Sequence, residues 1–180
     1  MAIDLRYTLL MFTAILLGSA LLRRSQARLP LAWWQKLGLG LGAFCGAFLG
    51  AKLPFALYNW HDLSSGPVWF ADGKTIMFGI VGGYLGVEIT KWALEIRIRT
   101  GDSFAIPVAL SVAVGRLACF FGGCCFGCRT SLPWGVSFPN VEGPRHPTQL
   151  YEFAFHVTAV VLLWQFERRG WFRCQRIKLY

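Results

Sequence analysis

Five apolar stretches constrain this chain more than any other feature of its sequence, because each is about as long as a membrane-spanning helix. Such a helix needs roughly 20 mostly apolar residues to cross the hydrocarbon core. The stretches run over Tyr7–Leu22, Leu37–Tyr58, Thr75–Ile96, Ser103–Phe126 and Thr148–Phe166. Arg23 and Arg24 follow the first stretch as a stop-transfer arrangement, which favours a retained span over a cleaved signal peptide.

The composition agrees with a membrane protein. Hydrophobic residues make up 55% of the 180 residues, 15% are charged, and the mean hydropathy is +0.47. A soluble domain of this size has too little core to bury so much apolar surface, and disordered or collagen-like chains have a different composition. We therefore expect an all-α integral membrane protein, a polytopic bundle of about five transmembrane helices that forms one domain over residues 1–180.

The basic residues divide unevenly between the two sides of the predicted spans. Of the 18 lysines and arginines, twelve fall on one side, five fall on the other, and Arg116 lies inside the fourth stretch. Because the richer side is normally cytoplasmic, the N-terminus is predicted outside and the C-terminus inside. Segments 59–74 and 127–147 then face outward. A basic excess of this kind records membrane topology, so no nucleic-acid partner is predicted.

Glycines recur at helical spacing in the second and third stretches. They are Gly38, Gly42, Gly46 and Gly50 in the second, and the pairs Gly79 with Gly83 and Gly82 with Gly86 in the third. Small residues four positions apart allow two helix backbones to approach closely within a membrane. The pattern favours helix packing, and a smooth wall for a bound acyl chain is the functional alternative.

Arg116 is the residue with the clearest functional signal, because it lies about thirteen residues into a stretch that is otherwise free of charge. A guanidinium at that depth costs at least roughly 2.5–3.5 kcal/mol, so it needs a partner, a cavity or an anionic ligand. Its planar donors suit a phosphodiester. The alternative is a structural ion pair with Glu88 or Glu152.

Three other charged groups in the apolar stretches have structural explanations. Glu88 and Lys91 are one helical turn apart, so we expect them to neutralise each other. Glu152 opens the fifth stretch, where a carboxylate favours the start of a helix. His61 and His156 have no neighbours in the sequence that would make them metal ligands.

Four of the six cysteines cluster where the fourth stretch ends, at Cys119, Cys124, Cys125 and Cys128. One or two disulfides are plausible on an oxidising outer face, and soft side chains also pack well at a helix end. Four thiolates could instead hold zinc, although structural zinc sites normally use two separated pairs. Nucleophilic catalysis by one thiol is the third possibility.

Three segments together resemble the bacterial prolipoprotein diacylglyceryl transferases. They are Gly115–Phe120 (GRLACF), Leu132–Pro139 (LPWGVSFP) and Arg145–Glu152 (RHPTQLYE). The last segment is the most specific, because it matches that family's Arg-His-Pro-Ser/Thr-Gln-Leu-Tyr-Glu run almost residue for residue. Gly82-Gly83 is similar to the family's glycine motif in an earlier helix.

The resemblance implies the first step of bacterial lipoprotein maturation. In that step, a diacylglyceryl group passes from phosphatidylglycerol to the lipobox cysteine of a prolipoprotein signal peptide. The reaction takes place at the outer leaflet of the bacterial cytoplasmic (inner) membrane and uses no metal ion and no organic cofactor. The chain is thus expected to be a multi-pass transferase of lipoprotein biosynthesis.

The resemblance also assigns roles to individual residues. Arg116 matches the family's phosphate-handling arginine, and Arg145 and His146 match its motif residues near the outer face. His146 is the candidate base for the acceptor thiol, because an unperturbed histidine titrates near pH ~6.5; the alternative is that it only fixes the loop. The residues expected to bind substrate are Gly82, Gly83, Gln149, Tyr151 and Glu152.

The chain departs from the family pattern at three places. Val81 stands where the family usually has a histidine, and Cys119 and Cys124 stand where it has asparagine and glutamate. Beyond Tyr180 the family continues into a further span with another functional arginine, so we expect domain 1–180 to lack a final span. Val81 and the four-cysteine cluster favour an alternative function, a non-catalytic phospholipid-binding or thiol-redox membrane protein on the same scaffold, whereas Arg116 and the intact run 145–152 favour the enzyme.

Overall fold

The computed structural model describes residues 5–58, 75–139 and 141–180, and these residues fold into helices and irregular loops. His61 and the whole of the predicted outward segment 59–74 lie outside the described residues. The helices are α1 (Leu5–Gln26), α2 (Trp33–Tyr58), α3 (Ile76–Ala93), α4 (Asp102–Phe121), α5 (Thr148–Arg169) and the short α6 (Arg176–Leu179). The prediction of an all-helical protein is therefore confirmed for the described part of the chain.

Three of these helices are long and apolar enough to cross a membrane: α1, α2 and α4. The other two long helices, α3 and α5, correspond to the third and fifth apolar stretches of the sequence. They are shorter or more polar, and α5 ends with Arg168 and Arg169 in its last turn. The described residues thus contain three candidate spans, while a five-span topology stays a prediction.

The fourth apolar stretch is predicted to remain helical to Phe126, but α4 ends at Phe121. The reason is the Gly122-Gly123 pair, because Gly123 adopts a left-handed conformation with φ of 63° that a helix cannot continue. Similarly, α3 ends at Ala93 rather than at Ile96, and Glu95 has φ of 53°. Apolar composition alone overestimates the length of both helices.

The helices fall into two compact units. The first contains α2 and α3 within Pro30–Ile98. Its helices meet through their glycine faces: a Cβ atom on Gly82 would lie 2.8 Å from the Cα of Gly50 and would also strike the carbonyl oxygen of Gly46. Real Cβ atoms do not approach so closely, so only glycine fits at this crossing. The prediction that these glycines serve helix packing is confirmed.

The second unit consists of two chain segments, the one that ends at Leu29 and the one over Arg99–Tyr180. It contains α1, α4, α5 and α6. The core between α4 and α5 is built from two small residues of α4, Ala105 and Ala109, and the larger Leu163 of α5. Between α1 and α4, the Ser111 hydroxyl donates to the carbonyl of Ala14 at 3.3 Å. This close packing fixes α4 against α5, which carry the two motifs of greatest interest.

The glycine crossing of α2 and α3 generates a stability prediction. A Cβ atom on Gly46 would clash with the backbone of Gly82 and lie 3.0 Å from the Cα of Gly86, whereas one on Gly40 would meet nothing within 4 Å. Gly46→Ala should therefore lower the unfolding free energy by about 1–3 kcal/mol, as overpacking does. Gly40→Ala is the matched control in the same helix and should leave stability unchanged or slightly higher. Thermal unfolding in detergent measures both, and equal melting temperatures for the two variants would contradict the packing role.

Candidate active site

The centre of the candidate site is Arg116, which lies in the last two turns of α4 with 15% of its side chain exposed. Its Nη2 atom is 2.5 Å from Oε2 of Glu152 in α5. The structure therefore selects Glu152, one of the two partners considered from the sequence. The Nε atom of Arg116 is buried and makes no hydrogen bond to the described residues. The guanidinium thus keeps donor capacity beyond the ion pair.

Glu152 and Glu88 differ in their roles. The sequence suggested that Glu152 caps the start of the fifth helix, but α5 starts at Thr148 with Pro147 as its N-cap and has no side-chain cap. That prediction is wrong, because Glu152 lies beyond the first turn and turns toward Arg116. Glu88 instead pairs with Lys91 at 3.0 Å, as its i,i+3 spacing predicted.

The loop between α4 and α5 is held in place by backbone hydrogen bonds. The amides of Val136 and Arg145 donate to each other's carbonyl groups at 3.0 and 2.9 Å. The amide of His146 donates to the carbonyl of Cys128 at 3.1 Å, and the amide of Gly127 donates to the carbonyl of His146 at 2.9 Å. These bonds satisfy polar groups that an irregular segment beside a membrane must not leave unpaired.

Arg145 and His146 occupy defined positions in this loop. The guanidinium of Arg145 stacks over the ring of Phe126, 5.2 Å from its centroid, and its Nη1 donates to the carbonyl of Gly127 at 3.4 Å. Nδ1 of His146 lies 3.1 Å from the hydroxyl of Tyr151. When Nδ1 carries the proton and donates a hydrogen bond to the hydroxyl of Tyr151, Nε2 is the ring nitrogen that is free to accept a proton.

Gln149 is fully buried at the start of α5 and ties this helix to the loop after α4. Its Nε2 atom donates to the carbonyl of Cys124 at 2.6 Å, while its Oε1 atom is buried and has no partner among the described residues. The hydroxyl of Thr148 donates to the carbonyl of Cys125 at 2.7 Å. Sequence reasoning did not anticipate the bond made by Thr148, because nothing in the sequence shows which carbonyl groups the loop leaves open.

The six cysteines all lie in the described part of the chain and are free thiols. The sulfur atoms of Cys119, Cys124 and Cys125 lie within 4.8 Å of one another, and Cys128 stands outside this thiol cluster. Burial raises the pKa of Cys124 to about 12, and the neighbouring Cys119 and Cys125 thiols raise that pKa too. Cys124 is therefore a neutral thiol at neutral pH, which disfavours it as a nucleophile.

Gly82 and Gly83 are described within the other compact unit, where both pack against α2. A Cβ atom on Gly83 would lie 3.3 Å from the Cβ of Ala47. The structure thus gives both glycines a packing role, and their predicted contact with substrate stays a prediction.

Comparison with known proteins identifies the family. The sequence model of the prolipoprotein diacylglyceryl transferases matches residues 2–180. The chain belongs to this transferase family. It is 32% identical over 163 residues to the phosphatidylglycerol–prolipoprotein diacylglyceryl transferase of Coxiella burnetii (strain RSA 331 / Henzerling II), covering 84% of this chain and 61% of the relative.

Two further relatives carry the same name. The protein of Legionella pneumophila (strain Corby) is 41% identical over 128 residues, which cover 66% of this chain and 50% of the relative. The protein of Cupriavidus metallidurans is 36% identical over 138 residues, which cover 69% of this chain and 49% of the relative. The chain thus spans between about half and three-fifths of the length of these members of the transferase family.

The buried amide of Gln149 generates a second stability prediction. Gln149→Leu leaves the carbonyl of Cys124 without its donor, so the unfolding free energy should fall by about 1–3 kcal/mol. Gln165→Leu is the matched control, because Gln165 lies exposed on the same helix. Chemical denaturation in detergent compares the two variants, and a Gln149→Leu protein as stable as the control would show that this hydrogen bond does not stabilise the junction.

Proposed function

We propose that this chain carries out the transfer that its relatives are named for, moving a diacylglyceryl group from phosphatidylglycerol to the lipobox cysteine of a prolipoprotein. The observation that carries the proposal is the ion pair between Arg116 and Glu152. It brings together the two family motifs Gly115–Phe120 and Arg145–Glu152, which are about thirty residues apart in the chain. Both belong to the same compact unit.

The bonds that form and break in this reaction define what the site must do. The acceptor sulfur forms a bond to the glyceryl carbon, the bond between that carbon and the phosphate oxygen breaks, and glycerol phosphate leaves. A cation that meets the leaving phosphate lowers the barrier. Arg116 fits this task because its buried Nε atom has no hydrogen-bond partner among the described residues, while Glu152 pairs with its Nη2 atom.

The acceptor thiol must lose its proton before or during attack, because the thiolate is the nucleophile. His146 fits the role of base when the hydroxyl of Tyr151 holds its Nδ1. Arg145 lies next to His146 in the chain. The guanidinium of Arg145, stacked on Phe126, places a positive charge in the same loop. Gln149 is fully buried and holds α5 to the loop after α4, so its expected contact with substrate stays a prediction.

The setting that suits this chemistry is the bacterial cytoplasmic membrane. We place the N-terminus outside, the C-terminus in the cytoplasm, and α1 to α5 across the bilayer, so that the loop 127–147 faces the outer leaflet. The uneven distribution of basic residues supports this orientation. Residues 1–180 then act as one transmembrane domain whose partners are phosphatidylglycerol and the signal peptide of a prolipoprotein.

Arg116→Lys tests the phosphate-handling role. Lysine keeps the positive charge but loses the planar fork of donors, so transfer from phosphatidylglycerol to a lipobox peptide should fall by about 100-fold while the protein stays folded. Arg24→Lys, on the exposed end of α1, is the matched control and should keep its rate. The assay uses detergent-solubilised protein and detects the thioether product by mass spectrometry. The reference is the wild-type protein produced in a transferase-depleted strain. An unaltered rate in Arg116→Lys would return this arginine to a structural role.

His146→Gln tests the proton acceptor. The rate should be lost at neutral pH while phospholipid binding is retained, because glutamine cannot take the thiol proton. The rate should return as the pH rises through the range of a free thiol, about 8.5, since the acceptor then ionises without a base. His156→Gln makes the same substitution in α5 and serves as the control. A His146→Gln protein with the wild-type rate and pH profile would exclude His146 as the base.

A further inference from the structure

The loop that follows α4 brings two cysteines together through its backbone. The amide of Cys124 donates to the carbonyl of Cys119 at 3.2 Å, and the amide of Gly123 donates to the carbonyl of Phe120 at 3.2 Å. With Gly123 in the left-handed region, these bonds form a Schellman motif. The motif folds the chain back on the helix, so the side chain of Cys124 lies beside that of Cys119 although the two are five positions apart in the sequence.

The third cysteine joins the cluster because of a second left-handed residue. Cys125 has φ of 61°, a conformation that costs a side-chain-bearing residue roughly 1–2 kcal/mol. This turn directs its sulfur to within 4.8 Å of those of Cys119 and Cys124. Its carbonyl and that of Cys124 are held by Thr148 and Gln149 of α5. The loop is thus fixed from both ends in a form that gathers three thiols.

The spacing of the three sulfurs is close to that of a metal site. Zinc–sulfur bonds are about 2.3 Å long, which sets thiolate sulfurs about 3.8 Å apart in a tetrahedral site. The observed limit of 4.8 Å therefore requires a contraction of no more than about 1 Å. Small rotations of the cysteine side chains can supply it. At present the thiol of Cys124 contacts the carbonyl of Cys119 at 3.7 Å, a weak hydrogen bond that is easily given up.

The electrostatic setting favours a cation at this point. The thiol cluster lies at the C-terminal end of α4, where the helix dipole stabilises positive charge. Soft thiolate ligands select zinc and copper(I) over magnesium and calcium.

We propose that Cys119, Cys124 and Cys125 bind one zinc ion through three thiolates. Each thiol releases its proton to solvent as its sulfur–zinc bond forms, and a water molecule takes the fourth position. Cys128 lies outside the cluster and is not a ligand. The family resemblance implies no metal ion for the transfer reaction, and Arg116 of the proposed function lies one turn before Cys119, so zinc binding and lipid transfer are measured separately.

Metal analysis of the purified chain tests the site directly. Wild-type protein in detergent should retain close to one zinc per chain after dialysis, and cobalt(II) in its place should give sulfur-to-metal charge-transfer absorption. Cys119→Ser and Cys125→Ser should each lose most of the bound metal. Cys45→Ser and Cys174→Ser replace exposed cysteines elsewhere and should keep it.

Thiol labelling of the wild-type protein provides a test that does not depend on whether variants fold. Zinc should protect three of the six thiols from maleimide, and mass spectrometry should locate the protection at Cys119, Cys124 and Cys125. Substoichiometric zinc with no protection would overturn the proposal. So would equal metal loss in the Cys174→Ser control, or a disulfide within the cluster in protein isolated from cells. Neither measurement involves lipid transfer. Failure of the zinc proposal would therefore leave the proposed transferase function standing, and failure of the transferase proposal would leave the zinc site standing.

Discussion

The burial of one guanidinium among apolar helices determines how the candidate site on α4 and α5 is arranged. Placing Arg116 in α4 costs several kcal/mol unless a partner compensates it, and Glu152 of α5 is that partner. The Glu152 side chain is 41% exposed, so the pair is only partly buried, but breaking it would leave the guanidinium of Arg116 without this partner. The pair therefore specifies how α4 and α5 align. Since the loop carrying His146 leads directly into α5, its position depends on the same alignment.

The second constraint is that irregular backbone must satisfy its own polar groups where water is scarce. The loop from Gly127 to Pro147 does so by pairing Val136 with Arg145 and His146 with Cys128. Gln149 and Thr148 complete the arrangement by donating to carbonyl groups that the end of α4 leaves open. Family residues in this segment thus have two kinds of task. In the proposed function Arg145 supplies a charge and His146 a base, while their backbone groups hold the loop in place.

Much of the fold could be predicted from local sequence. Hydropathy indicates which segments are apolar enough for a membrane, and glycine spacing indicates where two helices pack closely. The five long helices, the Glu88–Lys91 pair and the glycine crossing of α2 and α3 all follow from patterns within a few turns of helix. The end of α4 was misplaced by five residues, because an apolar run continues past Gly123 while the backbone does not. Composition registers where apolar residues are and carries no information on φ.

The sequence by itself determined the membrane class, the family and the identity of the residues worth testing, because these depend on residue type and order. Only the tertiary structure decided between Glu88 and Glu152 as the partner of Arg116, and only it separated Cys128 from the other three cysteines. Both decisions depend on distances between groups that a turn or a neighbouring helix brings together. Such distances are set by packing and by left-handed backbone at Gly123 and Cys125, which no spacing along the chain reveals.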